Sequence, residues 1–256
     1  MKKKIEAALN RLGYEVVPKW RAAHHAQARY LQQLFDLLAI DCVLDVGANT
    51  GQFRDFLRVQ VGYTGRIVSF EPIPDCVAEL QRRSATDSAW EVRPIALGSH
   101  AGTASFNITK ETQFSSLREP DASVTSRFEA LNSVVSRIEV EVNTLENVLP
   151  QIRQAGISRI YLKLDTQGFD LEVIRGAGEC LTQVEAIQTE LSFIRLYEGS
   201  PGWAETIDEL RSRGFRLSGL FPNNPQHFPD CYEMDCHMIH SRWSAEAAGK
   251  NQDSAI

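Results

Sequence analysis

A short apolar segment that runs directly into a glycine turn constrains this chain more than any other feature. Residues 41–51 read DCVLDVGANTG, and the apolar run at 43–46 is typical of a buried parallel strand. Gly47, Asn49 and Gly51 follow at once, so the chain turns tightly and leaves room for a ligand against bare backbone. The next residues have helical spacing. The order of strand, glycine turn and helix predicts a nucleotide-type site in an α/β domain.

The glycine spacing indicates which ligand this turn holds. A dinucleotide site has the pattern G-x-G-x-x-G and places a pyrophosphate at the helix N-terminus. Here the pattern is D-x-G-x-N-x-G, and the charge of Asp45 would oppose a diphosphate. S-adenosylmethionine fits better, because Asp45 suits its positive methionine end and the turn amides can hold its carboxylate. Glu71, at the end of the next predicted strand, suits its ribose hydroxyls. A nicotinamide-dependent oxidoreductase and a non-catalytic cofactor-binding module remain the alternatives.

Strands and helices alternate through most of the chain. Short apolar runs predict strands, and apolar positions three to four residues apart predict helices. The predicted strands cover residues 42–46, 66–70, 90–95, 160–164 and 184–191, and the predicted helices cover residues 52–60, 75–84, 145–154, 169–176 and 203–213. This alternation predicts a mostly parallel sheet with helices on both faces.

Two regions depart from the alternation. Residues 103–109 and 137–143 alternate between apolar and polar side chains, and the long polar connection between them predicts an inserted β arm. Residues 215–220 and 233–240 follow one another without a helix, which predicts a terminal antiparallel hairpin and a sheet of seven strands. This is the topology of the common S-adenosylmethionine-dependent methyltransferase fold.

The chain divides into three parts. Residues 2–12 and 21–39 have helical periodicity and predict an N-terminal helical cap over residues 1–40. Residues 41–243 contain all the predicted strands and form one α/β domain, the methyltransferase domain of this interpretation. Residues 244–256 are small and polar and predict a disordered tail.

Charge and cysteine content narrow the class of protein. A net charge of −6 argues against a nucleic-acid-binding protein. The five cysteines are odd in number and scattered, which favours reduced thiols and a cytoplasmic location. No apolar run is long enough to span a membrane, and no signal peptide is recognised at the N-terminus. Weak peripheral contact of Lys2, Lys3 and Lys4 with anionic lipid stays open.

A set of motifs in a fixed order resembles the FkbM family of S-adenosylmethionine-dependent methyltransferases. The motifs are LDVGANTGQF, FEPIP, ALGSHAGTASF, SSL, LKLDTQGFDLEVIRGA and TELSF, and the resemblance covers about residues 40–240. It implies a class I methyltransferase (Rossmann-like) fold and O-methylation, often of sugars in glycans or natural products. The family often has D-x-E-G-x-E where residues 165–170 read DTQGFD. Gln167 therefore replaces an acid, and a metal-binding role for that acid is not carried over.

The resemblance also implies which residues bind the cofactor. The methionine part would be held by Asp45, Gly47, Asn49 and Gly51. Glu71 would bind the ribose, and Ile73 with Ala96 or Leu97 would flank the adenine. The full cofactor set predicted from these motifs comprises Asp45, Gly47, Ala48, Asn49, Gly51, Phe53, Glu71, Pro72, Ile73, Ala96, Leu97 and Asp165.

Methyl transfer to an aliphatic hydroxyl needs a group that takes up the hydroxyl proton. Ligands of open parallel sheets bind beyond the carboxyl ends of the strands, where Asp165 and Glu190 fall. Asp165 is the first candidate for the base or for orienting the ammonium of the cofactor, and Glu190 is the second, as its partner or as a metal ligand. For Asp165 the alternative is a helix N-cap. A metal that acidifies the hydroxyl is an alternative to a base, although no metal is predicted. Lys163 is predicted to share a strand face with Asp165 in a paired, structural role.

Polar residues in two loops are the candidates for contact with the acceptor. Ser115 and Ser116 belong to the segment TQFSSL, and Asn223 and His227 belong to a loop at 221–230. We expect a methyltransferase that acts on a hydroxyl of a sugar, a glycan or a glycosylated natural-product intermediate, as in polysaccharide biosynthesis. The expected partner is a small-molecule or glycan acceptor rather than a nucleic acid.

Overall fold

The structure is a computed structural model, and it describes residue 9 and residues 11–121, 133–223 and 229–243. The predicted tail at 244–256, the centre of the predicted arm and His227 lie outside the described residues. Within the described ranges, no helix has both the length and the apolar character that a bilayer crossing requires.

The strands form two sheets. Their bounds are β1 Cys42–Val46, β2 Arg66–Phe70, β3 Trp90–Arg93, β4 Ala96–Leu97, β5 Gly102–Thr109, β6 Val134–Asn143, β7 Ile160–Leu164, β8 Val184–Ser192, β9 Phe215–Pro222 and β10 Glu233–His240. The larger sheet has seven strands in the order β3-β2-β1-β7-β8-β10-β9. Its pairs are parallel except those of β10, which is antiparallel to both β8 and β9. The predicted class I methyltransferase fold and its terminal antiparallel hairpin are confirmed.

The smaller sheet is the predicted inserted arm. It has the order β4-β6-β5, with β5 antiparallel to β6. The strand predicted at 90–95 is too long, because the chain leaves the large sheet after Arg93 and its next strand, β4, pairs with β6. Phe106 of β5 and Val140 of β6 belong to one apolar cluster with Ile73 and Ala96, so the arm packs beside the ends of the parallel strands.

The described helices occupy the expected places. Their bounds are α1 Lys19–Ala22, α2 His25–Leu38, α3 Gln52–Asp55, α4 Pro74–Ser84, α5 Leu145–Arg153, α6 Asp170–Arg175 and α7 Trp203–Ser212. The helix predicted at 52–60 is not a single α-helix, since a π-helix at Phe56–Val61 continues α3. That π-helix ends at Gly62, whose φ of +79° is the left-handed conformation in which glycine commonly ends helices.

The large sheet separates two apolar cores, as alternation along a strand requires. Leu44 and Val46 belong to the core that contains residues of α5 and α6. Val43 belongs to the other core, together with Leu31 and Phe35 of α2. The N-terminal helix α2 therefore packs directly on the sheet.

Candidate active site

A cleft with a volume of about 670 Å³ lies at the carboxyl ends of the parallel strands. The loops after β1, β2, β5 and β7 contribute to its wall, as do β4, the N-terminal helices and the first residues of β10. Ten predicted cofactor residues line it, namely Gly47, Ala48, Asn49, Phe53, Glu71, Pro72, Ile73, Ala96, Leu97 and Asp165. Two others lie behind its surface: Asp45 is fully buried, and Gly51 is packed against Arg83 and Trp90.

The turn after β1 requires glycine at its first position. Gly47 has φ +79°, and a Cβ atom there would lie 2.0 Å from the carbonyl oxygen of Asp165. Any side chain would collide with the backbone that follows β7. The glycine therefore allows the ends of β1 and β7 to approach each other closely at the floor of the cleft.

The backbone amides of this turn are already used within the protein. Gly47 and Ala48 donate to the carbonyl oxygen of Phe70 at 3.0 and 3.1 Å. Gly51 donates to the carbonyl oxygen of Ala48, and Asn49 donates to Glu71. These hydrogen bonds hold the turn against the end of β2, and the contact of its amides with the carboxylate of a ligand stays a prediction.

Glu71 connects the turn to the end of β2. Its carboxylate accepts hydrogen bonds from the backbone N–H groups of Asn49 at 2.7 Å and Ile73 at 2.9 Å. Burial raises the pKa of Glu71 to about 7, although the two backbone donors oppose that shift. The adjoining part of the cleft is apolar. It is formed by Leu97 and by Ile73 and Ala96, which are buried nearby. An acid beside an apolar surface suits a ribose joined to a flat base.

A buried ion pair supports the floor of the cleft. The Nζ atom of Lys163 lies 3.1 Å from Oδ1 of Asp45 and 3.2 Å from Oδ2 of Asp165. Burial alone would lower the pKa of Lys163, but the carboxylates of Asp165 and Asp45 outweigh it and raise that pKa. The predicted placement of Lys163 and Asp165 on one face agrees with this contact. Asp45 does not reach the cleft wall, and its carboxylate contacts Lys163.

Asp165 does not cap the helix that follows it. Phe169 occupies the N-cap position of α6, and its side chain forms no capping hydrogen bond. Asp170 organises this loop instead, since its carboxylate accepts hydrogen bonds from the N–H and hydroxyl groups of Thr166 at 2.9 and 2.5 Å. Asp170 also accepts one from the hydroxyl of Thr189 at 2.6 Å, which ties the loop to β8. Asp165 therefore takes no part in capping and lines the cleft.

Carboxylates at the ends of three strands form one wall of the cleft. Asp165 follows β7, Glu190 lies in β8, and Glu233 and Asp235 lie in β10. The antiparallel register places Asp235 directly opposite Glu190. The side-chain amide of Asn223 donates a hydrogen bond to Oε1 of Glu190. Four acidic side chains thus share one end of the cleft, which we call the acidic wall.

Crowding of these acids changes their protonation. Burial raises the pKa of Glu190 well above its usual range, and Glu233, Asp165 and Asp235 raise it further. Burial also raises the pKa of Glu233 to about 7 and raises that of Asp235. A carboxyl group with a raised pKa holds a proton more readily than an exposed acid, which favours its use as a general base.

The predicted acceptor residues are only partly brought together. Asn223 lines the cleft beside Glu190, and Ser115 lines it from the loop after β5. Ser115 is buried, and its hydroxyl accepts a hydrogen bond from the N–H of Thr109 at 3.1 Å. The predicted contact of Ser116 with the acceptor is corrected, since Ser116 is 1% exposed and its hydroxyl donates to the carbonyl oxygen of Gln167 at 2.8 Å. Its role is to fix the loop. His227 lies outside the described residues.

Sequence reasoning missed two residues of the acidic wall. Glu233 and Asp235 are two residues apart in a strand, a spacing that places both on one face and could have identified them. Gln27 of α2 donates to Oδ2 of Asp235 at 2.7 Å, and nothing in the sequence indicates this contact.

In the parts of the chain that the structure describes, no group of three or more His, Cys, Asp or Glu residues is arranged to hold a metal ion.

Comparison with protein families and characterised relatives identifies similar sequences. The family model described as the methyltransferase FkbM domain matches residues 45–217. The 2-O-methyltransferase NoeI of Sinorhizobium fredii is 28% identical over 192 residues, which cover 70% of this chain and 74% of that protein. The methyltransferase sdnD of Sordaria araneosa is 26% identical over 198 residues, which cover 68% of this chain and 75% of that protein.

Similar solved structures have low sequence identity. Fibrillarin of Aeropyrum pernix, solved with bound S-adenosyl-L-methionine, is 13% identical with a TM-score of 0.44, and the match covers 84% of this chain and 74% of that one. The magnesium protoporphyrin IX methyltransferase of Synechocystis PCC 6803 is 10% identical with a TM-score of 0.44, over 94% of this chain and 97% of that one.

Proposed function

The chain belongs to the FkbM methyltransferase family, and from this membership we propose that it methylates a hydroxyl group of a sugar, a glycan or a glycosylated natural product. The enzyme is an S-adenosylmethionine-dependent methyltransferase, so the proposal concerns the acceptor and the residues that act on it. The relative from Sinorhizobium fredii is named as a 2-O-methyltransferase, which supports transfer to oxygen.

The residues of the cleft fit the cofactor. Gly47 keeps the turn open, because a Cβ atom would overlap the carbonyl oxygen of Asp165. Glu71 would accept hydrogen bonds from the ribose hydroxyls, and the apolar surface at Ile73 and Leu97 would lie against the adenine. Asp165 would accept hydrogen bonds from the ammonium group of the methionine part. When bound, the cofactor supplies an electrophilic methyl group on a positively charged sulfur.

The acidic wall is the single observation that carries the choice of acceptor. A sugar hydroxyl is recognised by groups that accept and donate hydrogen bonds, and Glu190, Asp235 and Asn223 offer both. An aliphatic alcohol is a poor nucleophile until it loses its proton. A wall that combines hydrogen-bonding groups with carboxyls of raised pKa suits an alcohol acceptor better than an apolar one.

Glu190 is the residue we assign as the base. Burial and the neighbouring acids raise its pKa, whereas Asp165 is paired with Lys163 at 3.2 Å. Glu190 would take the hydroxyl proton onto a carboxylate oxygen as the hydroxyl oxygen bonds to the methyl carbon. The cofactor would supply that methyl group, and the electron pair of its carbon–sulfur bond would stay on sulfur. The products would be a methyl ether, a neutral thioether and a protonated Glu190.

Methyl-labelled S-adenosylmethionine tests this proposal directly. The enzyme is incubated with monosaccharides, nucleotide sugars and oligosaccharides, and the label should enter a carbohydrate in a form stable to mild alkali. Glu190→Gln should lower kcat at least about a hundredfold, as expected for loss of a general base, without a comparable loss of S-adenosylhomocysteine affinity. Asp208→Asn is the matched control, since this exposed acid lies in α7. Alkali-labile label would indicate a carboxyl acceptor, and cofactor binding without labelling of any carbohydrate would overturn the proposal.

A further inference from the structure

Gln167 occupies a strained and tightly fixed position between the cofactor side and the acceptor side of the cleft. Its φ is +54°, a left-handed conformation that is uncommon for residues other than glycine. Gly168 follows with φ +82°, and the hydroxyl of Ser116 donates to the carbonyl oxygen of Gln167 at 2.8 Å. Backbone strain of this kind persists only where the surrounding structure holds it, and it is common at functional sites.

The side chain of Gln167 joins the two candidate catalytic carboxylates. Its Nε2 atom lies 2.8 Å from Oδ1 of Asp165 and 3.3 Å from Oε2 of Glu190. Its Oε1 atom accepts a hydrogen bond from the hydroxyl of Tyr197 at 2.7 Å. Because the Tyr197 hydroxyl occupies the oxygen side of the amide, both N–H groups face the carboxylates.

This arrangement is specific to an amide. Two carboxylates that face the same point repel each other, and a group with two N–H donors can hold both in their charged forms. A glutamate here would lose both donors and add a third negative charge beside Asp165 and Glu190. Members of the family that this chain resembles often have an acid at this position. The amide is therefore a property of this chain that the proposed function leaves unexplained.

We propose that Gln167 is a positioning residue, whose amide clamps the cofactor-side carboxylate of Asp165 to the acceptor-side carboxylate of Glu190 and orients Glu190 toward the acceptor hydroxyl. This inference rests on the proposed function, because it assigns Glu190 as the base. One oxygen of Glu190 accepts from Gln167 and the other from Asn223, so the carboxylate plane is fixed from both ends.

The protonation of Glu190 also depends on its other neighbours. The titratable groups around it are Asp165, Asp170, Tyr197, Glu233 and Asp235, and Lys163 is the cation paired with Asp165. The acids favour the protonated form of Glu190, and the Gln167 amide opposes them. Removal of the amide should therefore move Glu190 toward protonation at any given pH.

The near-isosteric variant Gln167→Met removes both donors without adding charge and provides the test. Infrared spectra of the complex with S-adenosylhomocysteine follow the band of protonated carboxyl groups as pH is raised. We expect the midpoint of that band to rise by about one pH unit, as loss of hydrogen bonds to a charged carboxylate predicts. Affinity for S-adenosylhomocysteine should stay within about threefold of the unchanged enzyme. With a labelled acceptor, kcat should fall at least tenfold, a loss partly recovered at higher pH, while KM for the cofactor changes little.

A second variant separates clamping from general support of the loop. Tyr197→Phe removes the hydroxyl that orients the amide but leaves both N–H donors, so it should produce a smaller shift in the same direction. An unchanged infrared titration in Gln167→Met, or a loss of cofactor affinity as large as the loss of kcat, overturns the clamp. The titration needs no acceptor. If the band shifts but no carbohydrate is methylated, the proposed function is wrong and the clamp still holds. If a carbohydrate is methylated but the band does not shift, the clamp is wrong and the proposed function still holds.

Discussion

The ammonium group of Lys163 and the carboxylate of Asp45 lie 3.1 Å apart on neighbouring parallel strands, directly opposite each other in the strand register. Asp45 has no exposed surface, and Lys163 is 5% exposed. Lys163 also contacts Asp165 at 3.2 Å, so one cation joins a fully buried acid to an acid on the cleft wall. The same pair thus supports the fold and positions a residue of the candidate site.

Lys163→Met should destabilise the protein strongly, because it leaves the buried charge of Asp45 without a partner. The expected loss in the free energy of unfolding is about 3–5 kcal/mol, measured by urea denaturation. The double variant Asp45→Leu with Lys163→Met should recover most of that loss, since a buried ion pair can often be replaced by apolar groups. Arg211→Met removes an exposed pair with Asp208 and should cost less than about 1 kcal/mol. A similar small effect for Lys163→Met would contradict the assignment.

Gly47→Ala should abolish cofactor binding, and Gly62→Ala is its matched control. Both glycines have φ +79°, but an added Cβ lies 2.0 Å from the carbonyl oxygen of Asp165 at Gly47 and meets nothing within 4 Å at Gly62. The backbone strain is therefore shared, at about 1–2 kcal/mol, and only the collision differs. Calorimetric titration should show a loss of S-adenosylhomocysteine affinity of more than tenfold for Gly47→Ala alone. Equal losses in both variants would mean that strain, rather than space, determines the effect.

Much of the fold follows from the sequence because its central strands are buried on both faces. Short, mostly apolar runs predicted Cys42–Val46, Arg66–Phe70 and Ile160–Leu164 with the bounds that the structure has. The antiparallel pairing of the last two strands followed from the lack of a helix between them. The π-helix at Phe56–Val61 was not predicted, since apolar spacing alone does not distinguish it from an α-helix.

Less of the candidate site could be predicted, because its contacts depend on strand register. Glu71 was placed correctly at the cleft because it ends the strand after the glycine turn. The hydrogen bonds of the turn amides were not predicted, because they depend on the alignment of β1 with β2, which brings the Phe70 carbonyl oxygen within reach of two of them. Asp235 faces Glu190 only through the pairing of β10 with β8, which no local pattern reveals.

The raised pKa of Glu71 predicts that stability declines as pH rises. Folding raises the pKa of Glu71 from 4.5 to about 7, so between these values the folded state binds more protons than the unfolded state. Stability is therefore fully present below about pH 4.5 and is lost as pH rises to about 7, by roughly 3 kcal/mol at most from this group. Urea denaturation of the unliganded protein at several pH values should show a shallower decline for Glu71→Gln than for the unchanged chain. Identical slopes would contradict the shift.

Gln27 provides a test of whether the N-terminal helix α2 contributes to acceptor binding. Its side-chain amide donates to Oδ2 of Asp235 at 2.7 Å, and Gln27 itself lines the cleft. Gln27→Leu removes one hydrogen bond to a carboxylate, which is worth about 1.5–3 kcal/mol, and frees Asp235 to turn away from the acceptor. We expect KM for the acceptor to rise at least tenfold, whereas affinity for S-adenosylhomocysteine stays unchanged. Gln33→Leu is the control, because Gln33 lies on the same helix with its side chain exposed. If the two variants have equal acceptor KM values, α2 serves only to cover the sheet.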